Sequence, residues 1–223
     1  MKHPLQRFYD FLDRPLIMKS RIPLALLVIP LVLSFFSPLW KISMEAPQYP
    51  EGLSMSIYAY SLEGGRDGLD LQEINTLNHY IGMKRIERAD FADLDWIPFA
   101  LGVLAILTLR VAAVGNVRSL IDLAVMVTYI LGFMGARFVY KLYVFGHDLD
   151  PHAPVDVEPF TPVIIGTKQI ANFTTHSMPQ TGSYWLFAFV TGVCLITLVH
   201  LWTGRRAAAR QEADPGARPL AAV

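Results

Sequence analysis

A single cysteine, Cys194, stands in a chain of 223 residues. That excludes an intramolecular disulfide framework and any CxxC redox or metal site. Charge is scarce as well: 17% of the residues are Asp, Glu, Lys or Arg, and the formal net charge is zero. No basic excess therefore points to nucleic acid as a partner. The chain has no nucleophile elbow, no phosphate loop and no HExxH pair, so catalysis has no positive signal. Its apolar runs hold no central acid for a proton path and no paired histidines for a bis-histidine haem.

Apolar surface takes the place of charge. Hydrophobic residues make up 53% of the chain and the mean hydropathy is +0.37, which points away from an average soluble domain and toward a membrane protein. Four runs approach the roughly 20 apolar residues that a membrane-crossing helix needs. They are residues 22–40, 96–115, 120–140 and 184–202. Trp40, Trp96, Trp185 and Trp202 fall at their ends, where an indole ring favours the water–lipid boundary.

Basic residues set the expected orientation. Lys2, Arg7, Arg14, Lys19 and Arg21 precede the first run, Arg118 lies in the turn 116–119, and Arg205, Arg206, Arg210 and Arg218 follow the last. The segments 41–95 and 141–183 are longer and richer in acid. The positive-inside rule then places both termini in the cytoplasm and both long segments outside, in the periplasm if the cell is a bacterium with an inner membrane. Arg137 and Lys141 oppose the rule at the outer end of the third run. The leader 1–21 carries Phe8, Phe11, Leu12 and Leu16 at helical spacing and is expected to lie on the inner membrane surface, before an uncleaved anchor. The tail 203–223 is rich in Ala, Arg, Pro and Gly and reads as disordered. The expected fold is thus mainly α: four transmembrane helices under a small extracytoplasmic cap of mixed helix, strand and irregular structure.

The first outer segment contains a strand pattern, with Leu53, Met55, Ile57 and Ala59 alternating with Ser54, Ser56, Tyr58 and Tyr60. A helix should follow, capped by Asp70 with Glu73 as capping-box partner, and buried along Leu71, Ile74, Leu77, Asn78 and Ile81. Gly82 is placed to stop or kink it. A second short helix is expected from Glu87. The second outer segment carries Pro151, Pro154, Pro159, Pro162 and Pro179 and reads as largely irregular, packed on the first.

Four of six histidines fall in these outer segments, together with Met44, Met55, Met83 and Met178. Thioether selects Cu(I), and imidazole accepts copper in either oxidation state. His79 and Met83 are spaced i, i+4 on the expected helix, and His176 and Met178 are two apart in an extended stretch. His147 and His152 flank Asp148 and Asp150, a set better suited to a borderline divalent ion or to a plain turn. Packing and hydrogen bonding account for the same residues without metal, and Asn78 and Tyr80 then only pack or cap the helix. Arg137 and Lys141 are expected to pair with acids such as Asp148 or Glu158, or else to hold an anionic lipid or substrate. Glu63, Asp67, Asp70, Glu73, Glu87, Asp90, Asp93 and Asp95 form a solvated face or a docking surface for a basic partner.

LNHYIGM, residues 77–83, together with GTKQIANF, residues 166–173, resembles a group of small bacterial inner-membrane proteins associated with copper handling and with maturation of nitrous oxide reductase. The resemblance puts forward His79 and Met83 as site residues, and Lys168 and Asn172 as structural residues joining the loops. Two functions from different classes follow. One is a periplasmic cap that binds copper through His79, Met83, His176 and Met178, with His147 or His152 added, for delivery to a periplasmic metalloenzyme. The other is a metal-free structural or assembly subunit of a membrane complex.

Overall fold

The computed structural model describes residues 4–170 and 173–213. Among these residues it is mainly helical, with four helices long and apolar enough to cross a membrane and one five-stranded antiparallel sheet. The chain divides into two compact units. The first comprises the described parts of Met1–Val32, Leu101–Ile130 and Leu186–Val223; the second comprises Leu33–Ala100 and Leu131–Trp185.

The first span is Met18–Phe36, made of α2 (Met18–Leu26) and α3 (Val28–Phe36) with a break at Leu27. Pro30 accounts for that break, because it lacks the N–H that would reach the Leu26 carbonyl and its ring crowds that oxygen. Ser37 precedes Pro38 and so disfavours helix, which ends the span. The span therefore lies one turn earlier than the expected 22–40, and Trp40 opens a strand instead of closing a helix. The other spans are α5 (Asp93–Val114), α6 (Val117–His147) and the apolar part of α7 (Thr181–Ala213). At 31 residues, α6 outruns the expected 120–140 and is about 46 Å long, well beyond the ~30 Å of a hydrocarbon core. The turn before it is only Gly115-Asn116, because Asn116 Oδ1 accepts the Ser119 N–H at 3.0 Å and caps the helix early. Phe99, Ile106, Tyr129 and Phe187 all project from spans with more than half their surface exposed, which water would penalise and lipid would not. The chain is a membrane protein on this ground.

Within the first unit, α1 (Pro4–Leu12) exposes Leu5, Phe8 and Tyr9 on one face. Leu16 lies beyond its end and is buried. His200 is 4% exposed. Its Nδ1–H donates to the Ile196 carbonyl at 2.8 Å, and its Nε2 accepts the Ile17 N–H at 3.3 Å. The ring thus satisfies an orphan donor at the start of α2.

The second unit holds the sheet, in the order β3-β2-β1-β5-β4. Its strands are β1 (Trp40–Ala46), β2 (Tyr49–Ile57), β3 (Leu62–Gly64), β4 (Gly166–Ile170) and β5 (Phe173–Pro179). Central β1 pairs with β2 on one side and β5 on the other, so both outer segments share one sheet. The alternation through Leu53, Met55 and Ile57 is realised in β2, with Leu53 and Met55 buried. The β4–β5 hairpin corrects the irregular reading of residues 166–179: Phe173, Thr175 and Ser177 alternate inward, a pattern masked by the surrounding prolines. Residues 148–165 lack strand and helix, as expected.

Candidate functional site

One helix lies across the inner face of the sheet. This is α4 (Leu69–Tyr80), and it buries Ile74, Leu77 and Asn78, with Ile81 just past its end. Leu53, Met55 and Phe173 from the strands complete the core with them. The helix does not start as expected. Gly68, at φ +91°, is the N-cap, and Asp70 sits buried in the first turn. There Asp70 accepts the Ser54 N–H at 2.8 Å and the Arg66 Nε–H. Burial opposes ionisation of Asp70, but the Arg66 guanidinium and the Ser54 N–H outweigh it and hold the carboxyl below the usual carboxylate range. Glu73 is bonded to the Tyr49 hydroxyl and forms no capping box.

The far end of α4 follows the glycine rule. Gly82 adopts φ +77°, its N–H reaches the His79 carbonyl at 3.2 Å, and the Met83 N–H reaches the Asn78 carbonyl at 2.8 Å. This is a Schellman motif, which stops the helix and reverses the chain. A side chain at residue 82 would also collide with the Asp150 backbone, which packs there through the Asp150 N–H to Gly82 carbonyl bond of 2.8 Å. Asn75 then clamps the outgoing chain, its amide exchanging two bonds with the Ile86 backbone at 2.7 and 3.2 Å. The short helix expected from Glu87 is a single 3-10 turn at Arg88–Asp90, with Glu87 as its N-cap, and it leads into α5.

Between the sheet, α4, the start of α5 and the end of α6 lies a cavity of about 170 Å³, wholly within the second unit. Its wall is built from aliphatic side chains, from Met44, Met55, Met83 and Met134, and from Phe91, Phe138, Phe145, Phe160 and Phe173. Polar groups in the wall are few: Asn78, Asp93, Trp96, Thr175, Arg137 and Lys141. Asp93 receives two bonds from Arg137, at 2.9 and 3.1 Å, and one from Trp96 Nε1–H at 3.1 Å. Lys141 Nζ donates to the Asp90 carbonyl at 2.7 Å and lies 5.3 Å from the centre of the Phe91 ring. Asn78 differs from these. It is 2% exposed and, among the described residues, its Nδ2 has no hydrogen-bond partner, an expensive condition for a buried amide.

The sequence-derived ligands do not converge here. His79 is exposed on α4, whereas Met83, beyond the Schellman turn, packs on the core and lines the cavity, so the two are not on one helical face. His176 and Met178 occupy the opposite face of β5 from Phe173, Thr175 and Ser177. His176 Nδ1 lies 2.7 Å from Thr167 Oγ1, and its Nε2 is 3.7 Å from Glu45. His147 ends α6, stacks on Tyr143 and donates from Nδ1 to the Tyr143 carbonyl at 2.9 Å. His152 is exposed in a turn, where its backbone N–H and ring hold the Asp150 carboxyl below its usual range. Among the described residues no three His, Cys, Asp or Glu side chains gather as a metal site.

The remaining residues also find definite places. Arg137 pairs with Asp93, not with Asp148 or Glu158, and Asp148 pairs instead with Lys84. Lys168 donates to the Thr161 carbonyl at 2.9 Å, within its own segment, so it does not join the two loops. Asn172 lies outside the described residues. Tyr80 is half exposed, yet its carbonyl takes the Val155 N–H at 3.0 Å and ties the second segment to α4. Of the expected acidic face, Asp70 and Asp93 are held in ion pairs away from solvent, and Asp95 is bound to Arg88. Sequence reasoning missed the cavity and Asp93's role in its wall. The available signal was Arg137 itself, a cation in an apolar run that required an acid on a neighbouring helix. No protein-family model, no curated protein and no solved structure matches this chain.

Proposed function

We propose that this is a bacterial inner-membrane protein whose second unit takes up a small apolar molecule from the lipid phase. The observation that supports it is the 170 Å³ cavity, walled by apolar side chains with only a few polar ones. Binding sites for small ligands have this composition, an apolar body with sparse orienting polar groups. The cavity draws on the first turns of α5 and the last turns of α6, the ends of two spans. With all four spans crossing, both segments that build the sheet would lie on one side, and the basic flanks support the periplasm as that side. A ligand would then enter near the outer lipid surface. Native mass spectrometry of the protein released from detergent should show a small apolar adduct. Ile42→Trp, which fills the cavity from β1, should lose that adduct while its circular dichroism is unchanged. Equal adduct on both proteins would end the proposal.

A second reading has its own observation. Met44, Met55, Met83 and Met134 all line the same cavity, and thioethers are soft ligands suited to Cu(I). On this reading copper is carried by methionine inside the cavity, for transfer to a periplasmic metalloprotein. Anaerobic Cu(I) titration should then give one tight equivalent in the wild type and in a His79→Ala/His176→Ala/Met178→Ala variant. The equivalent should vanish in Met83→Ala/Met134→Ala. Loss in the His79→Ala/His176→Ala/Met178→Ala variant would return the site to those side chains on α4 and β5. No tight equivalent in the wild type would leave the four methionines as apolar lining.

A further inference from the structure

We propose that a second copy of this chain docks on the first unit, with Arg110 of one copy paired to Asp122 of the other. The two residues stand inside the spans α5 and α6, on either side of the Gly115-Asn116 turn. Arg110 lies four residues, about 6 Å, before the end of α5, and Asp122 five residues, about 7.5 Å, after the start of α6. Their depths in a bilayer therefore match. Both side chains are exposed, and neither has an ion-pair or hydrogen-bond partner among the described residues. Arg118, one turn before Asp122, is taken by Asp13 at 3.0 Å. Arg21 is bonded to the Ala113 carbonyl at 2.9 Å, and Arg137 to Asp93.

An exposed ion on a spanning helix faces lipid tails, where ionisable side chains are rare and pair with a partner or line a watery cavity. Arg110 has a stem long enough to bring its guanidinium to the headgroups. Asp122 has not, because a single methylene carries its carboxylate, so it needs a cation at its own depth. Arg110 of a second copy brings one. The surfaces around the two charges also suit each other. Ile106, Leu109 and Ala113 share the exposed stripe of Arg110 at i, i+3, i+4, i+7 spacing. Val125, Met126 and Tyr129 share that of Asp122 at the same spacing. Ile106 is 68% and Tyr129 79% exposed, so both stripes are free to pack. Apolar contact alone selects no neighbour in lipid. Opposite charges at one depth do, and the low dielectric strengthens their attraction.

The test labels the full chain with a donor or an acceptor fluorophore on a C-terminal tag and reconstitutes it in phosphatidylcholine vesicles. Energy transfer is then read against the protein-to-lipid ratio. The wild type should associate. Arg110→Asp or Asp122→Arg alone should raise the midpoint ratio about a hundredfold or more, since like charges then meet. Mixing the two single variants should restore transfer between them, because each supplies the charge that the other lacks. That rescue occurs only between chains, and it shows that both variants fold. The milder Arg110→Gln and Asp122→Asn keep the side-chain size and should each weaken association about tenfold. Wild-type transfer no higher than random proximity gives would overturn the second copy, and this arm needs no variant. Association unchanged in Arg110→Gln and Asp122→Asn would overturn the ion pair. Loss in the charge-reversed variants without rescue in their mixture, at unchanged circular dichroism, would assign the charges to one chain or to lipid phosphate and overturn the contact between copies.

Discussion

Asp70→Ala should destabilise the second unit by about 3 kcal/mol, measured by urea unfolding in mild detergent at pH 7. Asp70 is 3% exposed and joins three pieces of chain: its own helix, the Ser54 N–H of β2, and Arg66 in the turn before α4. Removing it leaves the part-buried Ser54 N–H without its acceptor. It also frees Arg66 and Asp67, both held at positive φ (47° and 57°), a conformation that costs a non-glycine residue roughly 1–2 kcal/mol. The Arg66–Asp70 bond helps to pin that turn, so its loss should loosen the entry to α4 as well.

The same residue gives a pH signature. Its carboxyl is held below the ordinary value of 3.8 in the folded protein. A depressed acid stabilises the fold fully above its unfolded value, and the contribution is lost as pH falls through the folded one. The gap between wild type and Asp70→Ala should therefore be constant from neutral pH down to about 4 and close below it. A gap that persists unchanged at pH 2 would show that Asp70 acts by packing, not by charge.

The second large effect concerns the cavity wall. Arg137→Ala should cost about 2–3 kcal/mol, less than a fully buried pair would, because the Arg137 side chain is 34% exposed. Asp93, at 13%, is then left as a carboxylate facing apolar side chains, with the Trp96 Nε1–H as its remaining hydrogen-bond donor among the described residues and the Lys141 charge nearby. Asp93→Asn with Arg137→Gln should be milder than the sum of the two single changes, since neither buried charge is then orphaned. Additive losses in that cycle would mean the pair contributes no coupling. The change should also weaken ligand uptake, because the pair sets the spacing of α5 and α6 where they wall the cavity within the second unit.

The four spans, the amphipathic leader, the strand through Leu53 and Met55, and the stop at Gly82 are all written in local pattern. Each rests on a periodicity or a single-residue preference that acts over a few neighbours: hydrophobic runs of membrane length, alternation, and the freedom of glycine at positive φ. Tertiary structure decided the rest. Whether Asp70 would cap a helix or be buried as an ion pair depends on Ser54, sixteen residues away, arriving from β2. Whether residues 166–179 would stay irregular depends on an open edge of β1 to pair with. The four proposed copper ligands looked close because two pairs were adjacent in sequence. Met83 turned inward past the Schellman reversal, and the pleat of β5 sent His176 and Met178 to the other face. A cavity is the extreme case, since it is defined by side chains from seven separate strands and helices that no local rule brings together.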